Sequence, residues 1–214
     1  MHFTTALILA AAATVSAIDL AVQGKTSISG NFSVAGGETG LIAVINRCDY
    51  PVYLKSIDGG KGRPEPPLST LAPAGISQNN MYQERLKELG GGDGTSIKIS
   101  RDPDSSHWSH GILQIEYSVK NGRVWFDGSN INCHGTECPF YDSGVMLKGA
   151  GGQFGSTCTE AMCRPHTCDT GAHWYMKDDD NLAVKDCPQT AGLSVVLCAK
   201  DASLKMVKRV KGSV

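Results

Sequence analysis

GLIAVINRCDYPVYL, residues 40–54, predicts a buried β-strand, a cysteine just after it and a second strand. Successive side chains of a strand point to opposite faces, and here both faces are apolar up to Asn46. That pattern is typical of a strand covered on two sides. Cys48 follows, Pro51 interrupts the pattern, and residues 52–54 resume it. A cysteine at the end of an early core strand suits a disulfide to a distant part of the chain.

The N-terminus predicts a secreted protein. Residues 7–15 form an apolar run, and Val15-Ser16-Ala17 fits the small-x-small cleavage pattern, so we expect residues 1–17 to be a signal peptide. The run is far shorter than the roughly 20 apolar residues of a membrane-spanning helix. No second run of that kind follows, so we expect no membrane span and a mature chain that forms one domain.

Cysteine content and charge limit the class further. Eight cysteines in a secreted chain predict disulfides, whose pairing the spacing alone leaves open. The formal net charge is −1, and the tail at residues 201–214 is basic, so the body is acidic and lacks a nucleic-acid footprint. We expect the tail to be a solvated end. Asn31-Phe32-Ser33 is a candidate glycosylation site.

Short strands dominate the middle of the chain. Residues 18–39 could form a loose leader or an extra edge strand, and residues 68–76 an edge strand at best. Residues 80–89 carry a short apolar stripe before three glycines, which predicts a helix. Residues 95–100, 111–119 and 124–127 alternate as strands, and Asn121-Gly122 predicts a tight hairpin between the last two.

The character of the sequence changes after Asn132. Cysteines and glycines crowd into residues 133–187, which are too poor in apolar periodicity to hold a core of their own. Residues 193–199 then return to a strand pattern. The order predicts an all-β fold, an antiparallel β-sandwich with an inserted, disulfide-stapled lobe at about residues 133–187.

Three blocks of this sequence resemble the thaumatin-like proteins, and more closely their fungal branch of antigenic thaumatin-like, or yeast-phase antigen, proteins. They are INRCDYPVYL (45–54), ILQIEYSVKNGRVWFDGSNINC (112–133) and HWYMKDDDNLAVKDCPQTAGLSVVLC (173–198). The resemblance implies a thaumatin-like domain over residues 40–200. Eight cysteines are half the number of the large plant proteins, and Ser100-Arg101-Asp102 stands where one would be expected.

The resemblance also implies a disulfide between Cys48 and Cys198, which would join the first and last core strands. The other six cysteines would staple the lobe, and their pairing stays open, although the short loop between Cys133 and Cys138 favours that pair. The six are Cys133, Cys138, Cys158, Cys163, Cys168 and Cys187.

Matching the family's acidic cleft to this chain gives a ligand-binding groove of Glu116, Asp127 and Asp179. A further cleft aspartate would fall at Asn132, where the carboxylate is missing. The residues themselves suggest only that Glu116 and Asp127 lie on paired strands of one hairpin. The cleft arginine has no motif to place it, and Arg85 and Arg101 are candidates.

These residues support three hypotheses. The first is a monomer, either freely secreted or wall-associated, that binds cell-wall polysaccharide, most simply β-glucan, in the acidic groove. The second is a weak endo-β-1,3-glucanase with Glu116 as acid and Asp127 as its partner, since glycoside hydrolysis needs two carboxyl groups. Asn132 cannot act as acid or base, which favours binding without catalysis. The third is an antigen or effector that binds a host surface protein.

Other chemistries lack the residues they need. Nucleophile and phosphate-loop motifs are absent from the sequence, and oxidised cysteines cannot bind zinc with the nearby histidines, so we expect no metal and no cofactor. The aromatic residues that could stack on sugar rings are Trp108, Trp125, Trp174, Tyr117 and Tyr141. For Trp125 we expect core packing, because large aromatics are mostly buried.

Overall fold

Two β-sheets packed face to face make up the part of the chain that the computed structural model describes, residues 40–60, 62–76, 79–150, 157–168, 174–177 and 183–199. The strands are β1 (Leu41–Asn46), β2 (Val52–Asp58), β3 (Ser69–Leu71), β4 (Met81–Arg85), β5 (Thr95–Ser100), β6 (Leu113–Lys120), β7 (Arg123–Ser129), β8 (Val145–Gly149), β9 (Ala161–Cys163), β10 (Lys185–Pro188) and β11 (Leu193–Leu197). Short 3-10 helices cover Gly90–Gly92, Ser105–His107, Gly135–Glu137 and Gln189–Ala191. The predicted all-β sandwich is confirmed.

The first and last strands of the domain, β1 and β11, are neighbours in one sheet. One sheet has five strands in the order β4-β1-β11-β8-β9, and the other has six in the order β10-β7-β6-β5-β2-β3. The pairings between these strands are antiparallel, except that β1 and β11 run parallel. The stretch at residues 40–54 therefore supplies an inner strand to each sheet.

The core lies between the sheets. Alternate residues of β1 and β11, such as Ile42 and Val195, pack against alternate residues of β5, β6 and β7, such as Ile97, Ile115 and Phe126. All five are 1% exposed or less, as two facing apolar surfaces require. The alternation leaves a second, outward face on each sheet.

Four disulfides connect all eight cysteines. Cys48 pairs with Cys198, the bridge that the resemblance implies, and its Cα atoms are 5.2 Å apart. Cys133 pairs with Cys138, as the short loop favours. The sequence leaves the other two bridges open, and the structure gives them as Cys158 with Cys187 and Cys163 with Cys168.

The predicted helix at residues 80–89 is wrong, because part of this segment is the edge strand β4, which pairs with β1. A helix of this length is marginal in isolation, and tertiary partners decide its state. In the strand, the carboxylate of Glu84 accepts hydrogen bonds from Ser56 (2.7 Å), Tyr82 (3.0 Å) and Tyr117 (3.1 Å). Lys87 lies 2.9 Å from the same carboxylate. Because Ser56 and Tyr117 belong to the six-stranded sheet, this network ties the two sheets together.

The cysteine-rich segment contributes to both sheets. Strands β8 and β9 extend the five-stranded sheet, and β10 pairs with β7 at an edge of the six-stranded sheet. Within the described residues, no helix is long and apolar enough to cross a membrane. The signal peptide, residues 18–39 with Asn31, and the tail at 201–214 lie outside the described residues.

Candidate functional site

The hairpin of β6 and β7 positions the two predicted acidic residues. Asn121 and Gly122 have positive φ angles of 53° and 72°, as a type I′ turn requires, so the predicted tight turn is present. The turn sets the register, which places Glu116 directly opposite Asp127. Side chains opposite one another on antiparallel strands have Cβ atoms about 4.5–5.5 Å apart. The hairpin therefore brings the two carboxyl groups together, as the sequence suggests.

Both carboxyl groups lie on the outward face of the six-stranded sheet. Their neighbours Ile115 and Phe126 point into the core, and alternate side chains of a strand point to opposite faces. The register extends this pair into a row across the sheet, with Ser96 opposite Glu116 and Ile57 opposite Ser96. Four strands thus supply one continuous line of side chains.

A groove of about 540 Å³ runs over this row. We call it the acidic groove, and it is lined by Ile57, Gly59, Gly94, Thr95, Ser96, Lys98, Gln114, Glu116, Tyr117, Ser118, Trp125, Asp127 and Val184. Most of the side chains that reach it from the outward face are hydroxyl, amide or charged groups. Such a lining suits a polar ligand that is held by hydrogen bonds along an aromatic wall.

The two carboxyl groups titrate unusually. Burial raises the pKa of Asp127 to about 7, and repulsion from Glu116 adds to this effect. Burial also raises the pKa of Glu116, opposed by a hydrogen bond from Ser96 and by the charge of Lys98. Among the described residues, the buried Oδ1 atom of Asp127 has no hydrogen-bond partner. Near neutral pH the carboxyl group of Asp127 is therefore about half protonated, and its Oδ1 atom is free to accept a hydrogen bond from a ligand.

Trp125 lines the acidic groove, so the prediction that it packs in the core is wrong. It is two residues from Asp127 on the same strand and points to the same, outward face, where it is half-buried. Phe126, its neighbour, occupies the core position instead. Strand alternation in the sequence already places Trp125 on the face opposite to Phe126. The expectation of core packing came instead from the general preference of tryptophan for burial.

Of the other candidate aromatics, Tyr117 borders the acidic groove from its buried position in the core, and the rest lie outside the lining. Trp108, Tyr117 and Trp174 are buried. Trp174 packs against Gly128 so tightly that a Cβ atom there would lie 2.3 Å from the indole. Tyr141 makes an edge contact with the ring of His166, with ring centres 5.1 Å apart, and does not line the groove.

The cation of the acidic groove is Lys98, a residue that the sequence analysis missed. Lys98 lies on β5 within the electrostatic range of Glu116. Of the candidate arginines, Arg101 stacks over the ring of Tyr50 at 4.3 Å, and Arg85 lies on β4 of the other sheet. Neither belongs to the lining. Lys98 could have been found from its alternation with the core residues Ile97 and Ile99.

Asn132 lies outside the lining of the acidic groove and contacts the lining residue Gln114. Its side-chain oxygen accepts a hydrogen bond of 2.8 Å from the amide of Gln114, and its side-chain nitrogen donates to the carbonyl of Ser109. The amide is thus fixed in a structural role beside the groove. Asp179, the third predicted acid, lies outside the described residues. Within the described ranges, no three His, Cys, Asp or Glu side chains are grouped to hold a metal ion.

Comparison with known proteins supplies the family. The model of the Bys1 family, described as Blastomyces yeast-phase-specific protein, matches residues 32–199. The antigenic thaumatin-like protein of Arthroderma benhamiae is 31% identical over 182 residues, which cover 84% of this chain and 83% of that protein.

A solved structure shares the fold. The protein elicitor MoHrip2 from Magnaporthe oryzae superimposes with a TM-score of 0.53 at 22% identity, covering 75% of this chain and 99% of that one. The thaumatin-like xylanase inhibitor TLXI is more distant, with a TM-score of 0.44 at 14% identity, covering 73% and 98%. The family match over most of the chain and the relative from Arthroderma together show that this protein is a thaumatin-like member of the Bys1 family.

Proposed function

We propose that this protein is secreted and binds cell-wall polysaccharide, specifically β-glucan, in the acidic groove. One observation carries the proposal: a half-buried tryptophan, Trp125, stands beside the Glu116–Asp127 pair in a single groove on the outward face of the sheet. An indole offers an apolar platform for the C–H face of a sugar ring. The adjacent carboxyl groups can accept hydrogen bonds from its hydroxyl groups.

The electrostatics support an uncharged ligand with many hydroxyl groups. The unpartnered Oδ1 of Asp127 gains a donor when a sugar hydroxyl binds, and hydrogen bonds to charged groups are each worth about 1.5–3 kcal/mol. The hydroxyls of Ser96 and Ser118 and the amide of Gln114 supply further polar contacts on both sides of the pair. Four disulfides that use every cysteine support an oxidising, extracellular compartment. In this proposal Asp179 is the third acidic residue that binds the ligand, together with Glu116 and Asp127.

Retention on insoluble β-1,3-glucan tests the proposal. We expect the secreted protein to bind the polymer and the Trp125→Ala variant to lose most of that binding. Tyr141→Ala is a matched control, because it removes an aromatic ring outside the groove. A wild-type protein that is not retained, or a Trp125→Ala variant retained as well as the wild type, contradicts glucan binding in this groove. Failure of the wild type to bind would leave recognition of a host protein as the surviving hypothesis.

A second candidate is weak hydrolysis of the bound glucan, which the unequal carboxyl pair favours. Two neighbouring carboxyl groups with separated pKa values can serve as acid and as base or nucleophile. Since the pKa of Asp127 rises to about 7, Asp127 is the better proton donor and Glu116 the better base or nucleophile. These roles are the reverse of those expected from the sequence, in which Glu116 is the acid and Asp127 its partner.

Release of reducing sugar from soluble β-1,3-glucan tests this candidate. A catalytic pair requires that Glu116→Gln and Asp127→Asn each lower the rate by about 10²–10⁴-fold. Equal release by the wild type and both variants, or no release by any of them, leaves the groove as a binding site.

A further inference from the structure

A second groove continues the acidic groove along the hairpin. It has a volume of about 740 Å³ and lies between the loop at residues 88–93 and the hairpin end at residues 118–121. We call it the hairpin groove. Ser118 and Trp125 line both grooves, so the two meet at the indole.

From this continuity we infer that the binding site is elongated and takes a linear oligosaccharide of several sugar units lying along the hairpin, with Trp125 near its middle. This inference rests on the proposed function and names the length and path of the ligand. From Gln114 at one end to Asn121 at the other, the strand spans roughly 23 Å at about 3.3 Å per residue. That length exceeds a single sugar ring and fits a chain of several.

The walls of the hairpin groove suit a saccharide chain. Glu88, Asp93, Lys120 and Asn121 offer charged and amide groups, and Leu89 offers an apolar contact. A peptide or a hydrophobic partner would need several buried apolar anchors. The partly exposed apolar side chains that line the two grooves are few, namely Ile57, Leu89, Trp125 and Val184. The balance of one aromatic ring and many polar groups favours sugar.

The three glycines at Gly90–Gly92 keep this half of the site open. Side chains are missing from the exposed wall there, and a Cβ atom at any of the three would have no atom within 4 Å. Gly91 and Gly92 have φ angles of +81° and +87°, which favour glycine, whereas no such angle applies to Gly90. Gly90 is therefore a position where a bulky side chain can be added without backbone strain.

Titration of the secreted protein with a β-1,3-linked disaccharide and hexasaccharide tests the inference. We expect the hexasaccharide to bind at least about tenfold more tightly than the disaccharide, a difference of about 1.4 kcal/mol. Gly90→Phe should remove that advantage and leave disaccharide binding unchanged, whereas Gly90→Ala should keep both.

The outcomes separate this inference from the proposed function. If both ligands bind equally tightly, or if Gly90→Phe keeps the hexasaccharide advantage while its circular dichroism matches that of the wild type, the elongated site is refuted and glucan binding stands. If neither sugar binds, the proposed function itself, glucan binding in the acidic groove, is refuted. Lys120→Ala gives a second probe of the same half of the site, and it too should weaken only the hexasaccharide.

Discussion

Replacing Asp127 by Asn should stabilise the protein above neutral pH and have little effect in acid. The pKa of Asp127 rises from an ordinary 3.8 to about 7, so the folded state holds the proton more tightly than the unfolded chain does. The free energy of unfolding of the wild type therefore falls as the pH rises from about 4 to 7, and the loss is complete above pH 7. Asparagine has nearly the same shape and no charge to desolvate.

The size of the effect follows from the shift. Roughly three pKa units at about 1.36 kcal/mol each give about 4 kcal/mol. Solvent screening at a carboxyl group that is only partly buried reduces the expected gain to ~2–4 kcal/mol at pH 8. At pH 4 the two proteins should differ little, because the carboxyl group is then protonated in the folded wild type.

Urea unfolding of both proteins at several pH values between 4 and 8 measures the effect. Asp104→Asn is the matched control, since Asp104 is exposed and a hydrogen bond from Ser106 lowers the pKa of its carboxyl group. This control should not gain stability at pH 8. If the difference between Asp127→Asn and the wild type stays constant across the range, or if the variant is less stable at pH 8, the elevated pKa of Asp127 is refuted.

Three further predictions concern the scaffold. Glu84→Ala should lower the free energy of unfolding in urea by ~3 kcal/mol, because three hydroxyl donors lose their buried acceptor; a loss below about 0.5 kcal/mol would argue against the network. Replacing both Cys48 and Cys198 by serine removes a bridge between residues 150 positions apart and so frees the unfolded chain. The free energy of unfolding should fall by about 4–5 kcal/mol, which a lower midpoint of thermal unfolding under oxidising conditions would report. Gly128→Ala should cost about 1–3 kcal/mol or prevent folding, since its Cβ would lie 2.3 Å from the indole of Trp174; a normal yield and normal thermal stability would contradict that packing.

Local sequence signals predicted the part of the site that lies within one hairpin. The turn at Asn121-Gly122 and the alternation on either side of it indicated that Glu116 and Asp127 lie on paired strands of one hairpin. The structure then places the two residues directly opposite one another. The same alternation puts Trp125 on their face, but a statistical preference for burial outweighed it. Alternation with Ile97 and Ile99 places Lys98, and Ser96 with it, on the outward face. Their position beside Glu116 could not be predicted, because the register of β5 against β6 depends on a long connection with no turn signal.

The errors arose where distant contacts decide the local structure. Residues 81–85 form a strand because the open edge of β1 accepts them and because partners on the other sheet satisfy Glu84. Nothing in the segment itself carries this information. The pairing of Cys158 with Cys187 is of the same kind, since it depends on where β10 docks beside β7. The resemblance to a known family implied the bridge between Cys48 and Cys198, which periodicity alone left open.

The parallel pairing of β1 with β11 has a consequence for folding during synthesis. Strand β1 is made early, yet its neighbour β11 and its covalent link through Cys198 lie 150 residues further along the chain. Until β11 leaves the ribosome, β1 has an unfilled edge and the five-stranded sheet lacks its central strand. Non-local pairing of this kind folds slowly and exposes apolar edges meanwhile. Truncation anywhere before residue 193 should therefore leave a chain in which β1 keeps an open apolar edge and Cys48 lacks its disulfide partner.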